Sequence, residues 1–102
     1  TEVDVSKKSI CDSLLASKPG ELTFSINKEN LSGSLLVSDL EAMKAMKYAF
    51  QYFKMILEPG GAVALASVLF KKIDVKNKTV VIIASGGNVD PEIFQESLKS
   101  SI

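Results

Sequence analysis

Histidine, arginine and tryptophan are absent from this sequence, and Cys11 is its single cysteine. Without histidine, the chain lacks the commonest metal ligand and the commonest general base. Without arginine, it lacks the side chain that best binds phosphate and carboxylate groups through paired hydrogen bonds. A single cysteine excludes an internal disulfide and a cysteine-only zinc site. We therefore predict no metal site in this chain, and we interpret Cys11 as a small buried apolar residue.

Net charge and long apolar runs are also lacking. Twelve lysines balance twelve acidic residues, so the formal net charge of 0 gives no attraction for nucleic acid or anionic lipid. No apolar run approaches the roughly 20 residues that cross a bilayer, and residues 1–8 lack the apolar stretch of a signal peptide. Since a single cysteine also fits a reducing compartment, we predict a cytoplasmic protein that binds neither nucleic acid nor membranes.

The length of the chain limits it to one small domain or a part of one. At 102 residues and 11.0 kDa, it can form a single core at most. Hydrophobic residues make up 46% of the sequence and the mean hydropathy is +0.20, which is high for a small soluble domain. This composition is typical of a segment that further chain covers.

Residues 38–54 carry the clearest helical pattern. Ser38 and Glu41 have the spacing of a capping box, in which two side chains satisfy backbone N–H groups at the start of a helix. Apolar side chains then recur on one face with the period of an amphipathic helix. The predicted core stripe of this helix consists of Met43, Met46, Phe50 and Phe53.

Two further helices are predicted to begin at prolines, because the first helical position needs no partner for a backbone N–H. Pro59 begins a helix that continues to Leu69, and its small and apolar residues predict burial on nearly all sides. Pro91 begins a helix that continues to Lys99, with Asp90 as its cap.

The first third of the chain is less regular. Residues 10–15 provide a short apolar face for one or two helical turns, which the breaker at residues 18–20 ends. Residues 21–31 have near-helical apolar spacing but would also suit a strand, and we assign them to a helix.

Two apolar runs predict strands. Residues 79–84 are mostly β-branched without polar alternation, which is the pattern of a strand covered on both faces in a parallel sheet. Residues 35–37 form a shorter apolar run that predicts a brief strand. Helices and parallel strands together predict an α/β fold of three layers, helix, sheet and helix.

Two places along the chain are candidate ligand sites. The 85–88 turn, which comprises Ser85, Gly86, Gly87 and Asn88, directly follows the predicted buried strand. Ligands of open α/β sheets bind beyond the carboxyl ends of the strands, where glycine permits close approach and serine and asparagine supply polar atoms. A tight turn that needs glycine only for its geometry is the alternative. Glu58, before the second helix, is either a site residue or an acid favoured by the helix dipole.

Four stretches have the sequence, order and spacing of motifs from one family. They are Ile10-Cys11-Asp12-Ser13-Leu14-Leu15, Pro19-Gly20-Glu21-Leu22-Thr23-Phe24, Glu58-Pro59-Gly60-Gly61-Ala62 and Ser85-Gly86-Gly87-Asn88-Val89-Asp90. Together they resemble the C-terminal third of the pyridoxal-phosphate-dependent serine/threonine dehydratases, a family close to serine racemase and hydroxyaspartate dehydratase. The last motif is specific, because it follows a β-branched run at the family's distance from the Glu-Pro motif.

The resemblance implies a fold-type II enzyme with two α/β domains, in which residues 1–102 are the C-terminal segment of the larger, cofactor-binding domain. Ser85 would hydrogen-bond the pyridine nitrogen of pyridoxal 5'-phosphate. Gly86, Gly87 and Asn88 would shape the turn beside the ring, and Glu58 would lie near the ring as well. A serine hydroxyl cannot hold that nitrogen protonated, which suits elimination of hydroxide from a serine- or threonine-like substrate.

The resemblance also implies which parts of the enzyme lie outside this chain. In the family, the Schiff-base lysine, the phosphate-binding loop and the metal site of some members lie upstream, so no catalytic residue is assigned here. The complete enzyme would convert a 3-hydroxy amino acid to a 2-oxo acid and ammonia, and residues 1–102 alone would be inactive. The implied partners are the missing N-terminal part and the amino-acid substrate. Because the predicted sheet has an unpaired apolar edge, we also predict that the protein forms a homo-oligomer.

A second interpretation is a non-catalytic binding or assembly module derived from this family. Such a module would use the 85–88 turn for a small ligand or an apolar face for a partner. Upstream sequence with a Ser-x-Lys motif and a Gly-rich loop would favour the enzyme, whereas start and stop codons bracketing these residues would favour the module.

Overall fold

The computed structural model describes residue 4 and residues 8–101. Within them lie four α-helices, a short 3₁₀ turn and one π-helical turn. The α-helices are α1 (Glu21–Asn30), α2 (Asp39–Tyr48), α3 (Pro59–Leu69) and α4 (Pro91–Lys99), the 3₁₀ turn is Asp12–Leu14, and the π turn is Ala49–Phe53. None of the helices in this described part is long and apolar enough to cross a membrane.

Helix α2 begins where its sequence predicts. The Ser38 hydroxyl accepts the backbone N–H of Glu41 at 3.2 Å, and the Glu41 carboxylate accepts the backbone N–H of Ser38 at 2.9 Å. This reciprocal pair is the predicted capping box. Glu41 also forms an ion pair with Lys72 at 2.8 Å, which ties the start of α2 to the chain just beyond α3.

We expect removal of this cap to cost a measurable part of the stability. In Ser38→Ala, the N–H of Glu41 loses its acceptor, and the free energy of unfolding should fall by about 0.5–2 kcal/mol. Urea denaturation measures the change. Ser34→Ala, at an exposed serine outside any helix, is the control and should change stability by less than about 0.5 kcal/mol. Equal effects of the two variants would contradict the capping role.

The core forms where α2 packs against both α3 and α4. Small side chains on both helices allow α2 and α3 to approach closely, and Met46 is the largest fully buried hydrophobic side chain. The central cluster consists of Ala45, Met46, Ala49, Leu57, Ala62, Leu65 and Ala66. Five residues of α3 are buried and the other six are half-buried, so the prediction that this helix is buried on nearly all sides is only partly confirmed. Cys11 is also buried, as predicted, at 8% exposure.

The predicted core stripe of residues 38–54 is only partly correct. Met46 is fully buried and Met43 is half-buried, but Phe50 and Phe53 are 38% and 53% exposed. The π turn explains the difference, because hydrogen bonds to the fifth residue along widen the helix and move the side chains of Ala49–Phe53 off the 3.6-residue period. Lys54 ends this turn with a left-handed φ of 58°, close to the predicted end.

The predicted sheet is not formed within the described part of the chain, where neither residues 35–37 nor residues 79–84 are a strand. A parallel strand exists only when a neighbour completes its ladder, and neither segment has one there. Ile82 packs against the helical core, whereas Val81 and Ile83 are 87% and 76% exposed. The prediction that both faces of residues 79–84 are covered is therefore wrong for this chain as it stands.

Helix α1 confirms that residues 21–30 form a helix and not a strand. It packs against none of the other helices in the described part of the chain. All of its residues are exposed, including Leu22, Phe24 and Ile26 at more than half of their area. An isolated helix this short is marginal in water. The structure therefore leaves the apolar side chains of α1 without a covering surface among the described residues.

Candidate functional site

The two candidate places in the sequence lie together in the structure. We call residues Glu58, Pro59, Gly60 and Gly61 the 58–61 motif. The backbone N–H of Glu58 donates a hydrogen bond of 3.0 Å to the carbonyl oxygen of Gly86. This bond joins the start of α3 to the middle of the 85–88 turn, which is followed by the first turn of α4. The site is therefore built where two helix starts meet.

Glycine is required at this junction for close approach. A Cβ added to Gly61 would lie 2.5 Å from the carbonyl oxygen of Gly86 and 2.9 Å from its nitrogen. Real Cβ atoms essentially never come within 3.0 Å of a heavy atom in a residue that is not a chain neighbour. No glycine in the described part of the chain has a positive φ. Gly61 thus serves contact between two backbones and not an unusual backbone conformation.

The two glycines of the 85–88 turn also lie close to residues before α3. A Cβ on Gly86 would lie 2.7 Å from Oε1 of Glu58, so the carboxylate of Glu58 covers this glycine. A Cβ on Gly87 would lie 2.6 Å from the carbonyl oxygen of Ile56. Ile56, Glu58 and Gly61 therefore form one wall against which the turn is seated.

A small polar cavity opens beside this wall. Its volume is about 170 Å³. Its polar side chains are three carboxylates and one amide. The lining residues are Ile10, Asp12, Glu58, Pro59, Asn88, Val89, Asp90 and Ile93. Ser85 is exposed and does not line this cavity. Among the described residues, no cluster of three or more His, Cys, Asp or Glu side chains could hold a metal ion.

The predicted site residues are therefore placed as follows. Glu58 contacts Gly86 directly and shares the cavity with Asn88. Gly87 contacts the backbone before Glu58, and Ser85 adjoins Gly86 with its side chain open to solvent. Two contributors were not predicted, Gly61 and the carbonyl group of Ile56. The repeated glycine of the 58–61 motif was a signal for the first, whereas a backbone carbonyl leaves no signal in a sequence.

A larger apolar groove lies away from this junction. Its volume is about 530 Å³, and its walls include Cys11, residues 33–37 and the Val63 face of α3. Burial raises the pKa of the Cys11 thiol, while the Ser9 hydrogen bond lowers it to a smaller extent. The nearby carboxylates of Asp39 and Asp12 raise the pKa further. The thiol therefore stays protonated at neutral pH, which suits a packing role and not a nucleophile.

A family model described as "Pyridoxal-phosphate dependent enzyme" matches residues 1–86. Curated relatives include an L-threonine ammonia-lyase of Thermotoga maritima, 33% identical over 94% of this chain. An L-threo-3-hydroxyaspartate ammonia-lyase of Saccharomyces cerevisiae is 41% identical over 81% of the chain, and a serine racemase of Dictyostelium discoideum is 46% identical over 79%. The chain spans 24%, 26% and 25% of these relatives' lengths, respectively.

A solved structure agrees with these relatives. The crystal structure of a threonine deaminase from T.th. superposes with a TM-score of 0.78 at 30% identity. It covers 88% of this chain, which in turn covers 30% of that protein. The sequence and structure matches together confirm the family resemblance that the four motifs indicated.

Proposed function

Because this chain belongs to the family of pyridoxal-phosphate dependent enzymes, we propose that its protein is an ammonia-lyase acting on a 3-hydroxy amino acid. The products are a 2-oxo acid and ammonia. The names of the similar proteins support this reaction class, since they include threonine, hydroxyaspartate and serine enzymes. The observation that carries the proposal is the contact between Glu58 and Gly86, which joins the two family motifs in one site.

The shape of the site fits a flat cofactor. Gly87 is exposed and has no side chain, so a planar ring can approach the 85–88 turn on that open side. Ser85 and Asn88 are exposed on the same turn and offer hydroxyl and amide groups.

Ser85 is proposed to hold the pyridine nitrogen of pyridoxal phosphate through its hydroxyl group. When bound, the cofactor supplies an electron sink for the carbanion left by removal of the substrate's α-proton. A hydroxyl group keeps the nitrogen hydrogen-bonded without protonating it, so the sink is weaker than one paired with an aspartate. Such a sink favours loss of the β-hydroxyl group over reactions that require a long-lived carbanion.

Gly86, Gly87 and Asn88 are proposed to shape the cofactor side of the turn. Glu58 is proposed to lie near the ring, where its carboxylate covers Gly86 and its backbone N–H fixes the Gly86 carbonyl group. The hydrogen bond and the close packing support a rigid turn. A rigid turn keeps the Ser85 hydroxyl group in one place, which matters because misplacement of a binding group by about 1 Å is costly for catalysis.

Residues 1–102 are proposed to be the C-terminal segment of the cofactor-binding domain, with the Schiff-base lysine and the phosphate loop upstream. The exposed apolar side chains of residues 79–84 and of α1 support a covering N-terminal part, which would complete the parallel sheet of a fold-type II domain. We further propose a cytoplasmic homo-oligomer. The apolar surface near the π turn, Phe50, Tyr52 and Phe53, supports association between copies.

Cofactor capture tests the proposed function. The complete protein encoded by the gene is mixed with pyridoxal phosphate, scanned for the visible Schiff-base band, trapped with borohydride and mapped by mass spectrometry. We expect one adduct on a lysine outside residues 1–102 and 2-oxo acid formation from L-threonine, L-serine or hydroxyaspartate. A stoichiometric adduct on a lysine within residues 1–102 would contradict the proposal. Absence of any adduct would favour the non-catalytic module instead.

Ser85→Ala tests the assigned hydrogen bond to the ring. Loss of one hydrogen bond costs about 0.5–1.5 kcal/mol, so the Kd for pyridoxal phosphate should rise by up to about tenfold. The visible band of the bound cofactor should shift as well, because its ring nitrogen loses a partner. Ser34→Ala, at an exposed serine outside the site, serves as the control. An unchanged spectrum in Ser85→Ala would show that Ser85 does not contact the ring.

A further inference from the structure

Gly61 has no assigned role in the proposed reaction, yet a Cβ added to it would collide with the backbone of the 85–88 turn. It is buried in the first turn of α3, and the backbone of Gly86 lies directly against it. We propose that Gly61 is a positioning residue, which sets where the turn presents Ser85 and Asn88 to the cofactor. This inference rests on the proposed function.

Gly86 is held from two sides. Gly61 lies against its backbone carbonyl group and nitrogen, while the carboxylate of Glu58 covers the side where a Cβ would lie. The carbonyl oxygen of Gly86 also accepts the N–H of Glu58. If Gly86 moves a few tenths of an ångström towards α3, its contact with Gly61 is strained. If it moves away from α3, its hydrogen bond with the N–H of Glu58 lengthens.

Helix α3 cannot withdraw to relieve a larger residue at position 61. The next residue, Ala62, is fully buried, and Leu65 and Ala66 one turn later belong to the central core. Close-packed cores resist such a shift. A methyl group on residue 61 must therefore push the carbonyl group of Gly86, and the whole 85–88 turn moves with it.

Gly60 provides a matched control in the same helical turn. Its added Cβ would meet the hydroxyl oxygen of Ser13, which is the end of a flexible side chain and not backbone. Gly60→Ala and Gly61→Ala therefore introduce the same methyl group into the same turn of α3, but only the second presses on the 85–88 turn. Adding Ser13→Ala removes the single close contact of Gly60→Ala. Gly61→Ala has no comparable relief, because backbone atoms cannot be deleted.

The test measures the Kd for pyridoxal phosphate and amide hydrogen exchange in the complete protein. In Gly61→Ala, we expect Kd to rise by at least about tenfold and the amide of Glu58 to exchange faster. In Gly60→Ala with Ser13→Ala, Kd should stay within about twofold of wild type. Equal changes in the two variants, or an unchanged Glu58 amide in Gly61→Ala, would overturn the inference.

The outcomes separate this inference from the proposed function. A wild-type protein that binds no pyridoxal phosphate refutes the function, while faster Glu58 exchange in Gly61→Ala would still show that Gly61 positions the turn. If Gly61→Ala does not fold, hydrogen exchange in the wild-type protein still tests the inference. Binding of pyridoxal phosphate should then slow exchange at the Glu58 amide, and no slowing there would contradict a turn that is positioned through this wall.

Discussion

Gly87→Ala should damage the candidate site more than any other single methyl group added to the 85–88 turn. The new Cβ would lie 2.6 Å from the carbonyl oxygen of Ile56, and Leu57 beside it is only 4% exposed. The buried side chain of Leu57 therefore resists a shift of this part of the wall. Such overpacking costs about 1–3 kcal/mol. We expect this loss in the free energy of unfolding, together with a rise of at least about tenfold in the Kd for pyridoxal phosphate.

Gly33→Ala is the control for Gly87→Ala, because no atom lies within 4 Å of a Cβ added at Gly33. It should leave both the stability and the Kd close to those of wild type. Thermal denaturation and a fluorescence titration with pyridoxal phosphate measure the two quantities. A Gly87→Ala protein that matches Gly33→Ala in both would mean that the turn is not seated against Ile56.

Met46→Ala should cause the largest loss of stability among core substitutions. Met46 is fully buried at the centre of the packing between α2 and its two neighbouring helices. Truncation removes apolar contacts and leaves a cavity, at a cost of about 2–5 kcal/mol. The surrounding alanines are too small to refill the space. Urea denaturation should show a lower midpoint with an unchanged slope.

Met55→Ala provides the matched control for Met46→Ala. It deletes the same atoms from a side chain that is 43% exposed, so less contact is lost and solvent fills the space. We expect a cost of less than about 1.5 kcal/mol for Met55→Ala. If the two methionine variants lose equal stability, the centre of the core does not lie between α2 and α3.

Local chemistry explains why the helix starts could be predicted. The Ser38–Glu41 box, Pro59 and Pro91 act within three residues of a helix start, and each helix begins there in the structure. Asp90 is the residue before α4 as predicted, although its side chain makes no capping hydrogen bond. Capping motifs need no distant partner, so the sequence pattern was sufficient to place them.

The core stripe of α2 was less predictable, because it depends on one helical period being kept throughout. The π turn at Ala49–Phe53 breaks that period, so Phe50 and Phe53 turn towards the surface while Ala49 is buried. A continuous amphipathic pattern does not reveal such a change. Phe50 keeps one contact with the neighbouring helix, since its ring packs edge-on against Phe94 of α4 with the ring centroids 5.4 Å apart.

Local sequence was sufficient to place the helix starts, to identify the family and to find the two motifs of the site. Each depends on residues that are neighbours along the chain or on a motif of fixed spacing. Tertiary structure alone decided that Gly61 and Ile56 form the wall behind Gly86 and Gly87. That contact joins residues far apart in sequence, and its specificity lies in backbone atoms that every residue shares. It also decided that Val81 and Ile83 face outward, because a β-branched pattern favours a strand but a strand forms only when its ladder partner is present.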